Sequence, residues 1–221
     1  METRGTIAFD IIGTCFSLEK PRQSLIEMGA PGYALELWFA QALRDAIALS
    51  YAGGYKPLIK VLTAELPRTM KLLGVKADKT QLESAIASFT ELQLQPEAIQ
   101  AFQVLNNAGW RLVALTNGSE DSTRQLLKRA EAIDYFSSIF SCDAIAKTKP
   151  HADVYAMPKQ DTKGDIWLVA AHAWDIQGAS RSSLKTAFIT KQEEYLSIYP
   201  QPDVIADNLV AAANKIINFA W

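Results

Sequence analysis

The sequence predicts an α/β protein: a parallel β-sheet covered by helices on both faces and interrupted after its first strand by an inserted block of helices. Three observations lead there. Short continuous apolar runs, such as residues 112–116 (LVALT) and 166–170 (IWLVA), lack the in–out alternation of half-exposed strands and read as strands buried on both faces. Helical segments separate these runs, which is what parallel pairing requires. Between Pro21 and Glu91 apolar residues instead recur at helical spacing, with no convincing strand.

Taken in order, residues 6–10 (TIAFD) are a β-leaning run ending in a carboxylate, with Gly13 and Thr14 as turn punctuation. Leu35, Trp38, Ala42 and Ile47 recur at roughly helical spacing, as do Leu58, Val61, Leu62 and Leu66. The segment 51–55 (YAGGY) breaks the first of these helices, Pro67 falls within or near the end of the second, and 81–90 is a further helix. After Pro96 the pattern alternates: helix over 97–108, strand over 112–116, helix over 122–132 and a short strand over 137–140. A buried strand over 166–170, helix over 174–184, strands over 186–190 and 204–206, and a helix over 208–219 follow. The expected division is a core of residues 1–16 and 96–221 and a helical cap of residues 17–95. The cap is placed over the carboxyl edge of the sheet, where ligands bind in such folds.

A chain of 221 residues, 49% of them apolar, can bury a core and carry an insertion. Its net charge of −2, with both signs dispersed, offers no basic tract for nucleic acid and no patch for a membrane surface. No apolar stretch is long enough to span a bilayer. Cys15 and Cys142, without CxxC spacing, make neither a disulfide framework nor a zinc site. The opening METRGTIAFD is acidic at its second position and is not expected to act as a secretory signal. A reduced, cytoplasmic protein is expected.

Polar clusters follow the predicted strands, and the fold brings them to one sheet edge. Asp10 ends the first strand, Thr116-Asn117-Gly118-Ser119 the second; Lys149-Pro150 lies after the third and His172-Ala173-Trp174-Asp175 after the fourth. A lone strand-end carboxylate is most often a loop acceptor, but in this company Asp10 reads as a nucleophile. Gly118 lets backbone approach a ligand, and Ser119 caps the following helix, whose N-terminus favours an anion. Lys149 can hold the Asp10 carboxylate ionised, whereas nearby Lys147 reads as an ordinary exposed lysine. Asp175 suits a helix start and can also activate a water. His172 reads as a hydrogen-bonding pocket residue before it reads as a base, and His151 as loop. Cys15 reads as small and buried, since no histidine partner marks it as a nucleophile.

In order and spacing these clusters resemble the haloacid dehalogenase (HAD) superfamily over nearly the whole chain, and most of all its type II L-2-haloacid dehalogenases. FDIIGT resembles the first motif, with Asp10 at the nucleophile position and Thr14 beside it. LTNGS resembles the second, with Thr116 and Asn117; KPHADVY the third, with Lys149 and Tyr155; AHAWD the fourth, with Trp174 and Asp175. The resemblance implies a Rossmann-like core with an inserted cap, a covalent aspartyl ester, a small halo acid as substrate, no cofactor and no metal, and a homodimer.

The chain departs from the superfamily's phosphatases at two places. Their second acid, which protonates the leaving alkoxide, is Ile12 here, and a halide needs no such proton. Ala170, Ala171 and His172 precede AWD and supply no hard oxygen ligand for magnesium. It also departs from the dehalogenases: the cap arginine expected after Leu37-Trp38 is Phe39, with Arg44 farther along the helix as a substitute. The expected roles are therefore Asp10, Lys149, Asp175 and Thr14 in catalysis, and Thr116, Asn117, Tyr155, His172, Trp174, Phe39 and Arg44 in substrate binding. The competing expectations are a magnesium-dependent phosphatase of a small phosphate ester and a non-catalytic binding protein on the same fold.

Overall fold

The computed structural model describes residues 4–160, 164–190 and 193–219. The chain opens with β1 (Gly5–Phe9) and β2 (Phe16–Ser17), passes through α1 (Glu19–Glu27), α2 (Ala34–Tyr51), α3 (Leu58–Leu72) and α4 (Lys79–Ala87), and returns along β3 (Gln93–Leu94). Then come α5 (Ala98–Asn107), β4 (Trp110–Thr116), α6 (Glu120–Arg129), β5 (Phe136–Ser141) and α7 (Ala152–Ala156). The chain continues through β6 (Asp165–Ala170), α8 (Ala173–Arg181), β7 (Lys185–Ile189), β8 (Val204–Ala206) and α9 (Leu209–Ile217).

Six strands lie side by side in the order β5-β4-β1-β6-β7-β8, each pair parallel. The chain builds outward from β1 through β4 and β5 on one side and through β6, β7 and β8 on the other. The connections leaving β1 and β6 diverge, and the divergence opens a crevice at their carboxyl ends. Phe9 pairs with both Ala114 and Val169, so Asp10 stands level with the ends of β4 and β6.

Successive side chains leave opposite faces of a strand, and this sorts the core into two layers. Ile7, Phe9, Leu112, Ala114, Trp167 and Val169 belong to one, with Phe102 of α5 and Ile216 of α9 packed on it. Ala8, Val113, Leu115, Leu168 and Phe188 belong to the other, with Tyr155 of α7 and Ile176 of α8. Apolar layers on both faces explain the unbroken apolar strand sequences.

Between β2 and β3 the described chain is helical, as expected. Trp38 is fully buried and its Nε1 donates to the carbonyl of Leu62 at 3.0 Å, fixing α2 against α3. Pro67 lies well inside α3, which continues to Leu72. The bond its missing N–H forgoes is to the carbonyl of Thr63, a residue on the exposed side where water can reach it. The helix expected over 81–90 starts earlier, at Lys79, behind a capping box of Asp78 and Gln81, and tightens into a 3₁₀ turn over Ser88–Glu91.

Sequence periodicity did not foretell the antiparallel ribbon of β2 and β3, in which Phe16 pairs with Leu94 and Ser17 with Gln93. The N–H of Gln95 donates to the carbonyl of Cys15 at 2.8 Å and extends it. The two passages between sheet and helices thus run side by side. Further ties bind the helical insertion to the sheet loops: Ser50 Oγ of α2 accepts the N–H of Thr148 at 3.1 Å, and the hydroxyl of Tyr55, in the loop after α2, donates to Asp143. Among the described residues no helix is long and apolar enough to cross a membrane.

Candidate active site

Asp10 leaves β1 with its N–H still donating to Val169 at 3.0 Å, so the ladder aims its side chain into the crevice. The chain then turns back on itself through hydrogen bonds from Phe16 N–H to Ile11 and from Gly13 N–H to Phe16, each 2.9 Å. Gly13 has φ +86°, and a β-carbon there would stand 2.7 Å from His172 Nε2. Only glycine satisfies both demands. The turn returns Thr14 to the carboxylate: its hydroxyl donates to Asp10 Oδ2 at 2.6 Å and accepts the N–H of Ala171 at 2.9 Å.

Lys149 is fully buried. Its Nζ donates to Asp10 Oδ1 at 2.9 Å and to Asp175 Oδ2 at 2.8 Å. Burial pulls the ammonium toward its neutral form, but the charges of Asp10 and Asp175 outweigh that and raise its pKa. Asn117 fastens the lysine's loop: its Oδ1 accepts the Lys149 N–H and the Cys142 thiol, both at 3.1 Å. Asp175 is fully buried in the first turn of α8, and Tyr155 donates to its Oδ1 at 2.6 Å. Burial lifts the Asp175 carboxyl above the ordinary aspartate range; Lys149 opposes that and the charge of Asp10 reinforces it. Burial, then Asp175, also raises Tyr155, which therefore remains a phenol donor at neutral pH.

His172 borders the nucleophile on the open side, its Nε2 at 3.8 Å from Asp10 Oδ2. The same nitrogen lies 3.2 Å from the carbonyl of Ile12, which can only accept, so Nε2 carries the hydrogen. The imidazole stacks on Trp174 at 5.5 Å, and Phe39 of α2 reaches to 6.3 Å from it. Beyond these rings opens a cleft of about 700 Å³ between α2 and the sheet edge.

The structure brings together Asp10, Thr14, Lys149, Asp175 and Tyr155, with His172, Trp174 and Phe39 alongside. Tyr155, expected to meet substrate, is fully buried behind Asp175 and positions that carboxylate instead. Asn117 spends its amide oxygen on the Lys149 loop, so only its Nδ2 hydrogens are left to donate. Thr116 is fully buried and its Oγ1 accepts the Gly118 N–H at 2.9 Å, so part of its role is to shape the turn. Arg44 lies apart: it lines the cleft, but its Nε donates to Asp45 at 2.8 Å and its side chain is 54% exposed. Both cysteines are buried, with burial raising Cys15 well above its ordinary value and Cys142 to about 12, so neither is a thiolate at neutral pH.

Some contributors carry no sequence signal. The Ala171 N–H is backbone. Glu193, in the loop after β7, accepts the N–H of Ala173 and so serves the first turn of α8, whose N-cap residue His172 makes no side-chain cap bond. Gly178 does carry one. A β-carbon there would meet the Tyr155 hydroxyl and stand 2.6 Å from Pro150 Cβ. Gly178→Ala is expected to cost about 1–3 kcal/mol and to lower turnover by pushing Tyr155 off Asp175. A thermal melt and initial rates matching the parent protein would refute this.

The donor set does not fit magnesium. Asp10 and Asp175 each commit an oxygen to the Lys149 ammonium, and Ala170 and Ala171 add none. Among the described residues no group of three or more His, Cys, Asp or Glu side chains is placed to hold a metal ion.

Comparison with known proteins agrees with this geometry. The family model for haloacid dehalogenase-like hydrolases matches residues 5–181, and the chain belongs to that family. It is 26% identical over 191 residues to an (S)-2-haloacid dehalogenase of Xanthobacter autotrophicus, covering 84% of this chain and 74% of the relative. It is 27% identical over 193 residues to (S)-2-haloacid dehalogenase 4A of Burkholderia cepacia, covering 83% and 82%. The L-2-haloacid dehalogenase of X. autotrophicus, solved with chloropropionic acid covalently bound, superposes with a TM-score of 0.86 at 20% identity, covering 99% of this chain and 100% of that one.

Proposed function

We propose that this protein hydrolyses the carbon–halogen bond of 2-halo carboxylic acids through an ester on Asp10, without a metal. The observation that carries the reading is the sharing of one buried ammonium, Lys149, by two carboxylates, Asp10 and Asp175, with Ile12 in place of a proton donor. Asp10 attacks the halogen-bearing carbon from the rear, the carbon–halogen bond breaks, and the halide leaves with its electron pair. Near-attack positioning supplies much of the acceleration. Asn117 Nδ2, the Thr116 hydroxyl and the backbone at the start of α6 receive the substrate carboxylate, where the helix dipole favours an anion. Phe39 and Trp174 wall the halide, and His172 borders it.

Asp175, made more basic by burial, takes a proton from the water that attacks the Asp10 ester carbonyl. Acyl–oxygen cleavage restores the Asp10 carboxylate and releases a 2-hydroxy acid. The net reaction consumes a water and yields halide and a proton, with inversion at the carbon. Residues 1–16 and 96–221 form the catalytic core in this reading, and 17–95 the cap that closes the cleft.

Halide release from chloroacetate and from both enantiomers of 2-chloropropionate, with chelator present, tests it. Wild type is expected to release halide from chloroacetate and from one enantiomer only, and Asp10→Asn to release none. Release that persists in freshly prepared Asp10→Asn, with deamidation excluded by mass, would overturn the reading. Turnover of a phosphate ester only in the presence of magnesium would replace it.

A further inference from the structure

We infer that the site takes 2-halo acids carrying an uncharged alkyl tail of several carbons, and that the tail lies along α2. This rests on the dehalogenation reading and names its substrate class. The cleft is far larger than a two- or three-carbon acid needs: at ~30 Å³ per water in the liquid, its roughly 700 Å³ corresponds to about twenty waters. As a half-open groove of that volume it has room along its wall for a chain of several carbons.

The cleft reaches the reacting centre through His172, which lines it and borders Asp10. Its inner end is His172 and Trp174, and His172 Nε2 lies 3.8 Å from Asp10 Oδ2. From there α2 contributes Leu35, Phe39, Leu43 and Ile47 to the lining. Four-residue spacing aligns these side chains along one side of a helix, so the wall is an apolar stripe and not a scatter of contacts.

The two arginines of the rim are already paired. Arg22 pairs with Glu36 at 3.0 Å, Arg44 with Asp45 at 2.8 Å, and the Glu193 carboxylate accepts the Ala173 N–H. An apolar wall whose two bordering cations already face carboxylates suits a methylene chain and offers a second carboxylate no uncommitted cation. A monocarboxylic 2-halo acid with its carboxylate at the α6 end and its tail along α2 satisfies both halves of the site.

The test compares kcat/KM for (S)-2-bromooctanoate and (S)-2-bromopropionate, in wild type and in Ile47→Trp, which puts a bulky ring at the Ile47 end of the stripe. Each buried methylene is worth about three- to fourfold, so burial of even two of the octanoate's extra methylenes should make wild type favour it by about tenfold or more. Ile47→Trp should bring that ratio close to one. Because the ratio is taken within a single preparation, any loss of folded protein cancels. A wild-type ratio of one or less, with the propionate turned over, would overturn the inference while leaving the dehalogenation reading intact. So would a high ratio unchanged in Ile47→Trp. Absence of Asp10-dependent release from either acid would overturn both.

Discussion

Replacing Lys149 with methionine is expected to lower stability by about 3–5 kcal/mol and to abolish turnover. Methionine fills the lysine's volume, so the loss is electrostatic and not a cavity. Asp10, only 5% exposed, and Asp175, fully buried, would be left facing each other without the ammonium that now sits 2.9 and 2.8 Å from them. Two carboxylates in that position cannot both stay ionised, and one takes up a proton. Protonation of Asp10 removes the nucleophile; protonation of Asp175 removes the base. For a chain of this length the stability loss corresponds to a fall in melting temperature on the order of 10 °C. Adding Asp175→Asn to the variant removes one of the stranded charges and should recover part of the fall, because the two positions interact directly. An unchanged melting temperature in Lys149→Met would show that the ammonium does not hold the site together.

Asp175→Asn alone is expected to separate the two halves of the reaction. The asparagine can turn its oxygen to the Lys149 ammonium and its nitrogen to the Tyr155 hydroxyl oxygen, so the local hydrogen bonds survive. Asp10 then still attacks, but no base prepares the water, and steady-state turnover should fall about 10²–10⁴-fold. The signature is a burst of halide stoichiometric with sites, followed by near silence, with a mass increment on the peptide that contains Asp10. Slow steady release with no burst and no adduct would move Asp175 out of the hydrolytic step and into the support of Lys149.

The legible parts of this protein are those where chemistry and periodicity coincide. The central strands could be read because burial on both faces demands unbroken apolar runs, and Asp10 and Asp175 because they follow such runs, whereas Lys149 stands in the loop well past the mixed strand β5 and was marked by the KPHADVY pattern. The β2–β3 ribbon could not be read, since two-residue strands carry no period. Tyr155 was recognisable as a member of the site, but whether it faces substrate or Asp175 depends on how closely α7 approaches α8 at Gly178, a tertiary distance. Arg44 illustrates the reverse: the sequence offers a cation on the right helix, and the structure spends it on its neighbour Asp45. Glu193 was invisible because a carboxylate that serves a helix start twenty positions earlier leaves no local pattern.

The helix that walls the cleft is also the helix whose last turn is tied to the lysine's loop. At 18 residues α2 is a rod of about 27 Å. Leu35 and Phe39 face the cleft near one end, and near the other Ser50 holds the N–H of Thr148, the residue before Lys149. Trp38, between Leu35 and Phe39, pins the cleft end of the rod to α3. A tilt of α2 that widens the cleft must therefore either carry the Thr148–Pro150 turn with it or break the Ser50 bond. Admitting a ligand and seating the lysine are, mechanically, one adjustment of one lever.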